Sequence, residues 1–264
     1  MKSFILSIWQ FRHFVVSSIK AEFMGRFARS KLGAMWMILN PLAQATIFAI
    51  VLSEVLKAKL PNIDNKAAYA IYLMAGMSAW GLFAEIMNRC TTVFIEYGNT
   101  LKKISFPRLC LPIIVGGSAL LNHLLLLAAT LLVFLCFGHM PNWYWLLLPV
   151  GIALIMLLGF GLGIVLGLLN VFSRDIGQVL TIVLQLWFWF TPVVYLRTSL
   201  PEHFSRLLGF NPMTAIVNFY QQIMLYGQLP AWSSLLPVAL LASLCFIFAF
   251  WLFRRASPDL VDAL

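Results

Sequence analysis

Acid is scarce in this chain. Nine Asp and Glu residues stand against eighteen Lys and Arg in 264 positions, and charged residues make up 10% of the total against 62% hydrophobic. That balance excludes both an ordinary soluble domain and a disordered chain. With few carboxylates, most of them in connectors, paired-carboxylate catalysis and proton-driven transport have little to work with. No GxxxxGK[ST] phosphate loop occurs, so the chain does not hold ATP in that way, and neither HExxH nor GxSxG is present. The internal repeats common in carriers are not visible either. Cys90, Cys110, Cys136 and Cys245 are scattered without CxxC or metal-ligand spacing. They are expected to be free, packed thiols, and no metal site is expected.

What the chain has instead is long apolar runs, at about 35–56, 67–87, 111–137, 145–170, 176–196 and 235–253. About 20 apolar residues in a helix cross the ~30 Å hydrocarbon core, and backbone amides inside lipid must bond within their own segment. The expectation is an all-α polytopic membrane protein with six transmembrane helices. Residues 35–264 form one transmembrane domain, and residues 1–34 form a cytoplasmic interfacial segment. Within that segment Phe4, Ile8, Phe11, Val15, Ile19 and Phe23 recur at three to four residues. This is the period of an amphipathic helix, lying in the membrane interface or packed on the protein itself. Gln10, Arg12 and His13 interrupt the apolar start, so no cleavable signal peptide is expected.

Charge sets the orientation. With the amino terminus inside and the spans alternating, only Lys57, Lys59, Lys66, Arg197 and Arg206 fall outside, and the other thirteen basic residues fall inside. This asymmetry predicts that both termini are cytoplasmic. Arg26, Arg29 and Lys31 would sit at the inner headgroup level, with Trp36 at the interface. No connector combines basic and aromatic residues as a nucleic-acid surface would.

Several local patterns carry candidate roles. Glu85 and Arg89, four apart, are expected to pair on one helix face. His123, beside Asn122 in the third span, reads as a helix–helix hydrogen bonder. Gly159, Gly163 and Gly167 recur every four residues and predict a close packing surface within the subunit or a dimer. The loop from Gly98 to Pro112 has an apolar side (Leu101, Ile104, Leu109), a basic side (Lys102, Lys103, Arg108) and prolines at 107 and 112. A short rigid amphipathic helix of this kind suits the receipt of force from a cytoplasmic partner. The run Trp187, Phe188, Trp189, Phe190 puts rings on every side of the fifth span, so some face inward and can stack on sugar rings. An interfacial aromatic belt is the competing reading, and for Tyr195 the better one. Between 197 and 234 two short helices, about 204–210 and 213–225, are expected on the outer side, broken at Asn211-Pro212.

A set of motifs in order along nearly the whole chain resembles a known family. They are Arg26-Phe27 with Ser30, Leu32-Gly33, Trp36 and Asn40-Pro41; Leu101 to Lys103 with Phe106-Pro107-Arg108 and Leu111-Pro112; Leu169 to Asp175; Gln185 to Phe188 through Thr191-Pro192 to Tyr195; and Asn211-Pro212 through Tyr220 to Gly227. The chain resembles the transmembrane subunit of ABC-2-type polysaccharide exporters, specifically the O-antigen export permeases. The resemblance implies a non-enzymatic permease, a homodimer joined to two separate ATP-binding subunits that use ATP and magnesium. It places the protein in the bacterial inner membrane, in lipopolysaccharide biosynthesis, moving a lipid-linked polysaccharide. It also implies that Asn99, Leu101, Lys102, Lys103, Phe106, Pro107 and Arg108 couple to the ATPase, and that Trp36, Trp187, Phe188, Trp189, Phe190 and Tyr195 line a gate or glycan path. Asn218 and Gln221 stand where the family often has an acidic residue and an arginine, and Ala28 replaces a commonly basic or polar position. No family role is carried over there. Rival readings keep the architecture and change the cargo (capsular polysaccharide, teichoic acid, a small hydrophobic drug), or make the chain a membrane glycosyl- or acyltransferase, or a structural anchor.

Overall fold

The computed structural model describes residues 9–28, 35, 36, 39, 43, 66–103, 106–136, 138–197 and 200–256. Among them the elements are helical: α1 (Arg12–Ala28), α2 (Lys66–Glu96), α3 (Gly98–Lys103), α4 (Cys110–Cys136), a 3-10 turn (Trp143–Leu147) leading into α5 (Leu148–Phe172), α6 (Asp175–Trp189), α7 (Glu202–Leu208), α8 (Pro212–Gln221) extended by a π turn (Gln222–Tyr226), and α9 (Trp232–Ala256). Four segments are long and apolar enough to cross a membrane: Ala68–Glu96, Cys110–Leu135, Trp143–Phe172 and Trp232–Ala256. The chain is an all-α polytopic membrane protein. The first expected span, 35–56, lies almost wholly outside the described residues.

The helix α2, about 46 Å long at 1.5 Å per residue, is the axis of the bundle. It packs against α4, α5 and α8, and α5 in turn packs against α9. The glycine period of α5 explains how close the central pair lies. A Cβ on Gly163 would sit 2.8 Å from Cys90 Cβ, and one on Gly167 would sit 2.3 Å from the Cys90 carbonyl oxygen. Gly161 turns the other way, toward the α9 backbone at Cys245 and Phe246. The small residues are therefore a packing surface within the subunit, in which backbone dispersion contacts replace side-chain bulk. Cys90, Cys110 and Cys245 are free thiols.

The fold decides one expectation and changes another. Part of the apolar stripe of the first segment packs on protein: Val15 is buried with Cys110 and Ile114 of α4, and Phe11 and Ile19 pack beside them, while Phe4 and Ile8 lie outside the described residues. Trp9, Phe14, Val16 and Met24 are left outward. The fifth apolar run, expected to span over 176–196, forms a helix only to Trp189. At about 22 Å it is shorter than the hydrocarbon core. Thr191-Pro192 ends it, since proline supplies no amide hydrogen and disfavours helix in the residue before it. The chain then crosses 190–196 as turns, and the two short helices expected after it form as α7 and α8 with the π turn. Gly227, with φ of 59°, closes the π turn in a conformation glycine adopts at least strain.

Candidate functional site: a coupling loop, an aromatic cluster and a broken helix

At one end of the bundle α2 hands over to α3 through Tyr97, whose carbonyl accepts from the Thr100 and Leu101 amides at 3.0 and 2.9 Å. Burial pushes the Tyr97 hydroxyl above its ordinary pKa, and the Glu22 carboxylate adds to the shift. Leu101 is buried against the core, while Asn99, Lys102 and Lys103 are exposed. One turn of helix thus has an apolar anchor and a cationic outer face. Phe106 is half-buried beside Val15 and Ile114, with its ring 5.2 Å from that of Phe14. Pro107 and Arg108 are half-buried, and their carbonyls accept from the amides of Cys110 (2.8 Å) and Leu111 (3.2 Å), which starts α4. The seven residues expected to act together here do lie together, between two long helices. Ile104, from the same apolar side, lies outside the described residues.

Next to this loop sits a charged network. Arg89 Nη2 donates to Glu22 Oε1 of α1, and its Nη1 donates to Ser118 Oγ of α4 at 2.5 Å, with Glu85 Oε1 at 3.5 Å. Asn122 Nδ2 donates to the same Glu85 oxygen at 2.8 Å. The Glu85–Arg89 pair expected from spacing is present, and it is extended across three helices. Such charges, three-quarters or more shielded, are tolerated at membrane depth because each has a partner. Arg26 lies on α1, while its side chain, like Arg29 and Lys31, lies outside the described residues.

The aromatic run of α6 divides in two. Trp187 and Phe188 turn inward: the Trp187 ring stands edge-on to Phe83 at 5.1 Å and to Trp80 at 6.3 Å, and Phe188 stands 5.7 Å from Trp80. Trp189 and Phe190 face out, 57% and 63% exposed. Tyr195 is half-buried and donates its hydroxyl to the Trp189 carbonyl at 2.8 Å. Trp36 is helical and exposed. The open ring faces of this run therefore belong to Trp189 and Phe190, whereas Trp187 and Phe188 pack against α2.

Asn211 is the functional residue that sequence reasoning undervalued. Its Oδ1 accepts from the Met213 amide (3.0 Å), which caps α8, and from Trp187 Nε1 (2.9 Å). Its Nδ2 donates to the Phe190 carbonyl and to Thr191 Oγ1, both at 2.9 Å. The Asn-Pro pair signalled a helix start, but the bonds back to α6 had no local signal. The backbone of 191–195 is held by α2: Tyr69 donates to the Val194 carbonyl, and Tyr72 donates to those of Tyr195 (3.0 Å) and Pro192 (3.3 Å). Gln221 Nε2 also donates to Pro192 O at 3.3 Å. Irregular backbone at membrane depth needs such internal partners. His123 Nε2 lies 3.1 Å from the Tyr220 hydroxyl, bridging α4 to α8 as expected.

Comparison with known proteins agrees with this architecture. A profile of the ABC-2 type transporter family matches residues 14–225. The chain is 26% identical over 237 residues to the O-antigen export system permease protein RfbA of Myxococcus xanthus, covering 89% of each. It is 29% identical over 213 residues to the protein of the same name from Klebsiella pneumoniae, covering 77% of each. To the polysialic acid transport protein KpsM of Escherichia coli it is 23% identical over 247 residues, or 92% of this chain and 93% of that one. With four-fifths of its length inside the family match and a helical membrane bundle to accommodate it, the chain belongs to the ABC-2 type transporter family.

Proposed function

We propose that this chain is the permease subunit of a polysaccharide exporter in the bacterial inner membrane. It works as a homodimer with two ATP-binding subunits and carries a lipid-linked O-antigen. The observation that carries the reading is the family match together with relatives named for O-antigen export over most of both chains. The chain has no phosphate loop of its own, so ATP and its magnesium belong to the partner.

In this mechanism the partner's motion on ATP binding enters through α3. Lys102 and Lys103 offer two exposed cations to a docking groove, and Leu101 ties them to the core. Because α3 follows α2 across the single residue Tyr97, whose carbonyl accepts from the Thr100 and Leu101 amides, a displacement there is passed to α2. The sugar chain passes between two copies, with Trp189 and Phe190 supplying faces on which rings stack and slide. Stacking suits a moving cargo because it lacks the directional hydrogen bonds that would trap one register.

Reversing the charge in Lys102→Glu with Lys103→Glu is expected to leave insertion and yield unchanged while surface glycan, read by gel and lectin blot, falls at least about tenfold. Normal export in that double variant would remove the coupling role. The polysialic acid relative keeps a capsular cargo as the second reading. A deletion strain that keeps its O-antigen and loses its capsule would favour it.

A further inference from the structure

At the opposite end of the bundle from α3, where α2 and α9 begin, a cavity of about 570 Å³ opens between α2, the 192–197 turn, α8 and α9. Exposed tryptophans begin two of the spans at this end, Trp143 and Trp232. Such rings sit at the headgroup level, so the cavity opens at that depth. Two arginines stand nearby, and they differ. Arg206 is paired with Glu202 at 3.4 Å, one turn away on α7. Arg197 lines the cavity and meets no carboxylate among the described residues. Its guanidinium is nonetheless fixed: Nε donates to Ser205 Oγ at 2.9 Å, and Nη2 donates to the Ser205 carbonyl at 2.7 Å. It also lies against Gly209, where a Cβ would come 3.4 Å from Nη2. Ser205 thus holds one edge of the planar fork. Nη1 has no partner among the described residues, so an oriented positive charge stands at the cavity with donors to spare.

Away from that charge the lining is apolar, with Leu196 on the turn and Pro237, Val238 and Leu241 on α9. From Leu241 the exposed residues Leu244 and Phe248 continue along the same face of α9, at helical spacing. An apolar track therefore leaves the cavity toward the middle of the bilayer. A ligand that suits both parts has an anionic head and a hydrocarbon tail. A neutral head would leave Arg197 without a counterion, and the ammonium of a zwitterionic head would find no carboxylate in the lining. We infer that this cavity is a site for one anionic phospholipid of the surrounding membrane, with its phosphate diester on Arg197 and an acyl chain along α9. The lipid fills the gap between the 192–197 turn and α9, and so braces the irregular backbone from its open side. The inference needs the membrane placement of the bundle and is independent of the cargo.

The test uses the full-length chain in a nonionic detergent, titrated with dioctanoyl-phosphatidylglycerol, with bound lipid counted by native mass spectrometry. One lipid per chain is expected to bind about fivefold tighter than dioctanoyl-phosphatidylcholine. Arg197→Gln is expected to abolish that preference. Arg206→Gln removes the same charge outside the cavity lining and is expected to keep it. Leu241→Trp leaves every charge in place and fills the tail end of the cavity. It is expected to weaken phosphatidylglycerol binding about fivefold, and it decides the matter should Arg197→Gln fail to fold. Equal affinity for the two lipids overturns the inference, as does a preference that survives Arg197→Gln or is lost equally in Arg206→Gln. Unchanged binding in Leu241→Trp overturns the tail's place along α9. Inorganic phosphate in large excess is expected not to displace the lipid, and full displacement by it would make this a free phosphate site and overturn the lipid reading. Export is not measured in any arm, so failure here leaves the permease reading where it stands.

Discussion

The two ends of α2 are fastened by different chemistry. Near Arg89 the connections are ionic: one guanidinium meets Glu22 of α1, Glu85 of its own helix and Ser118 of α4. Near Tyr69 and Tyr72 they are neutral hydroxyls donated to the carbonyls of a broken helix. The ionic end holds separate helices whose backbones are already complete, so a charge pair can supply register where apolar packing is degenerate. The neutral end completes a backbone that would otherwise expose carbonyls in a low-dielectric setting, and a charge there would add desolvation cost without meeting that need. The ionic end also borders the loop proposed to receive motion, and the neutral end borders the 191–195 turn and a cavity lined by Tyr72, Arg197 and Gln221. A charged joint at one end and a neutral one at the other thus belong to the same helix.

The comparison breaks most severely at Arg89. Replacing it with leucine removes the guanidinium that Glu22, Glu85 and Ser118 share and is expected to cost about 3–5 kcal/mol, read as a large fall in Tm in detergent or as lost yield. Adding Glu22→Gln and Glu85→Gln is expected to recover much of that loss, because the penalty lies in the stranded charges. Failure to recover would assign it to packing of the guanidinium instead. At the other end Asn211→Ala removes four hydrogen bonds at once and is expected to cost about 2–3 kcal/mol, with loosening of the α6–α8 joint reported by a red shift in tryptophan emission as Trp187 loses its partner. The Arg89 loss is expected to shrink in salt, which screens the ion pairs of the parent, while the Asn211 loss is expected to be indifferent to ionic strength.

How much of this the sequence disclosed depends on whether the signal was local. The apolar runs at 67–87, 111–137, 145–170 and 235–253 correspond to helices, because hydrophobic length is a property of one segment. Glu85–Arg89 was visible from its spacing, but Glu22, 67 residues earlier, was not. The end of α6 was overrun because Val193, Val194 and Tyr195 are as apolar as the helix before them. Hydropathy records the burial of that stretch, and the bonds that let it leave the helix come from α2, some 120 residues away in sequence. Thr191-Pro192 was the one local sign. The aromatic run told that rings point both ways, yet which pair is internal depends on Trp80 and Phe83, which periodicity in α6 does not reveal. The amphipathic character of α3 and the start of α4 was the most legible part, since prolines, apolar anchors and lysines all fall within a dozen residues.

The smallest effect is the sharpest test of the neutral end. Tyr72→Phe keeps the ring and removes one hydroxyl, so the Tyr195 and Pro192 carbonyls lose a donor while Gln221 still serves Pro192. The expected cost is about 1 kcal/mol, the usual scale of a hydrogen bond between membrane helices. Tyr69→Phe exposes the Val194 carbonyl in the same way at similar cost. If the two tyrosines clamp one turn, the double variant should lose more than the sum of the singles, because the second carbonyl is freed from a segment already loosened. Strict additivity in Tm would mean that each tyrosine holds its own carbonyl independently, with no shared clamp. Super-additivity would show that the two tyrosines hold the broken helix as one clamp.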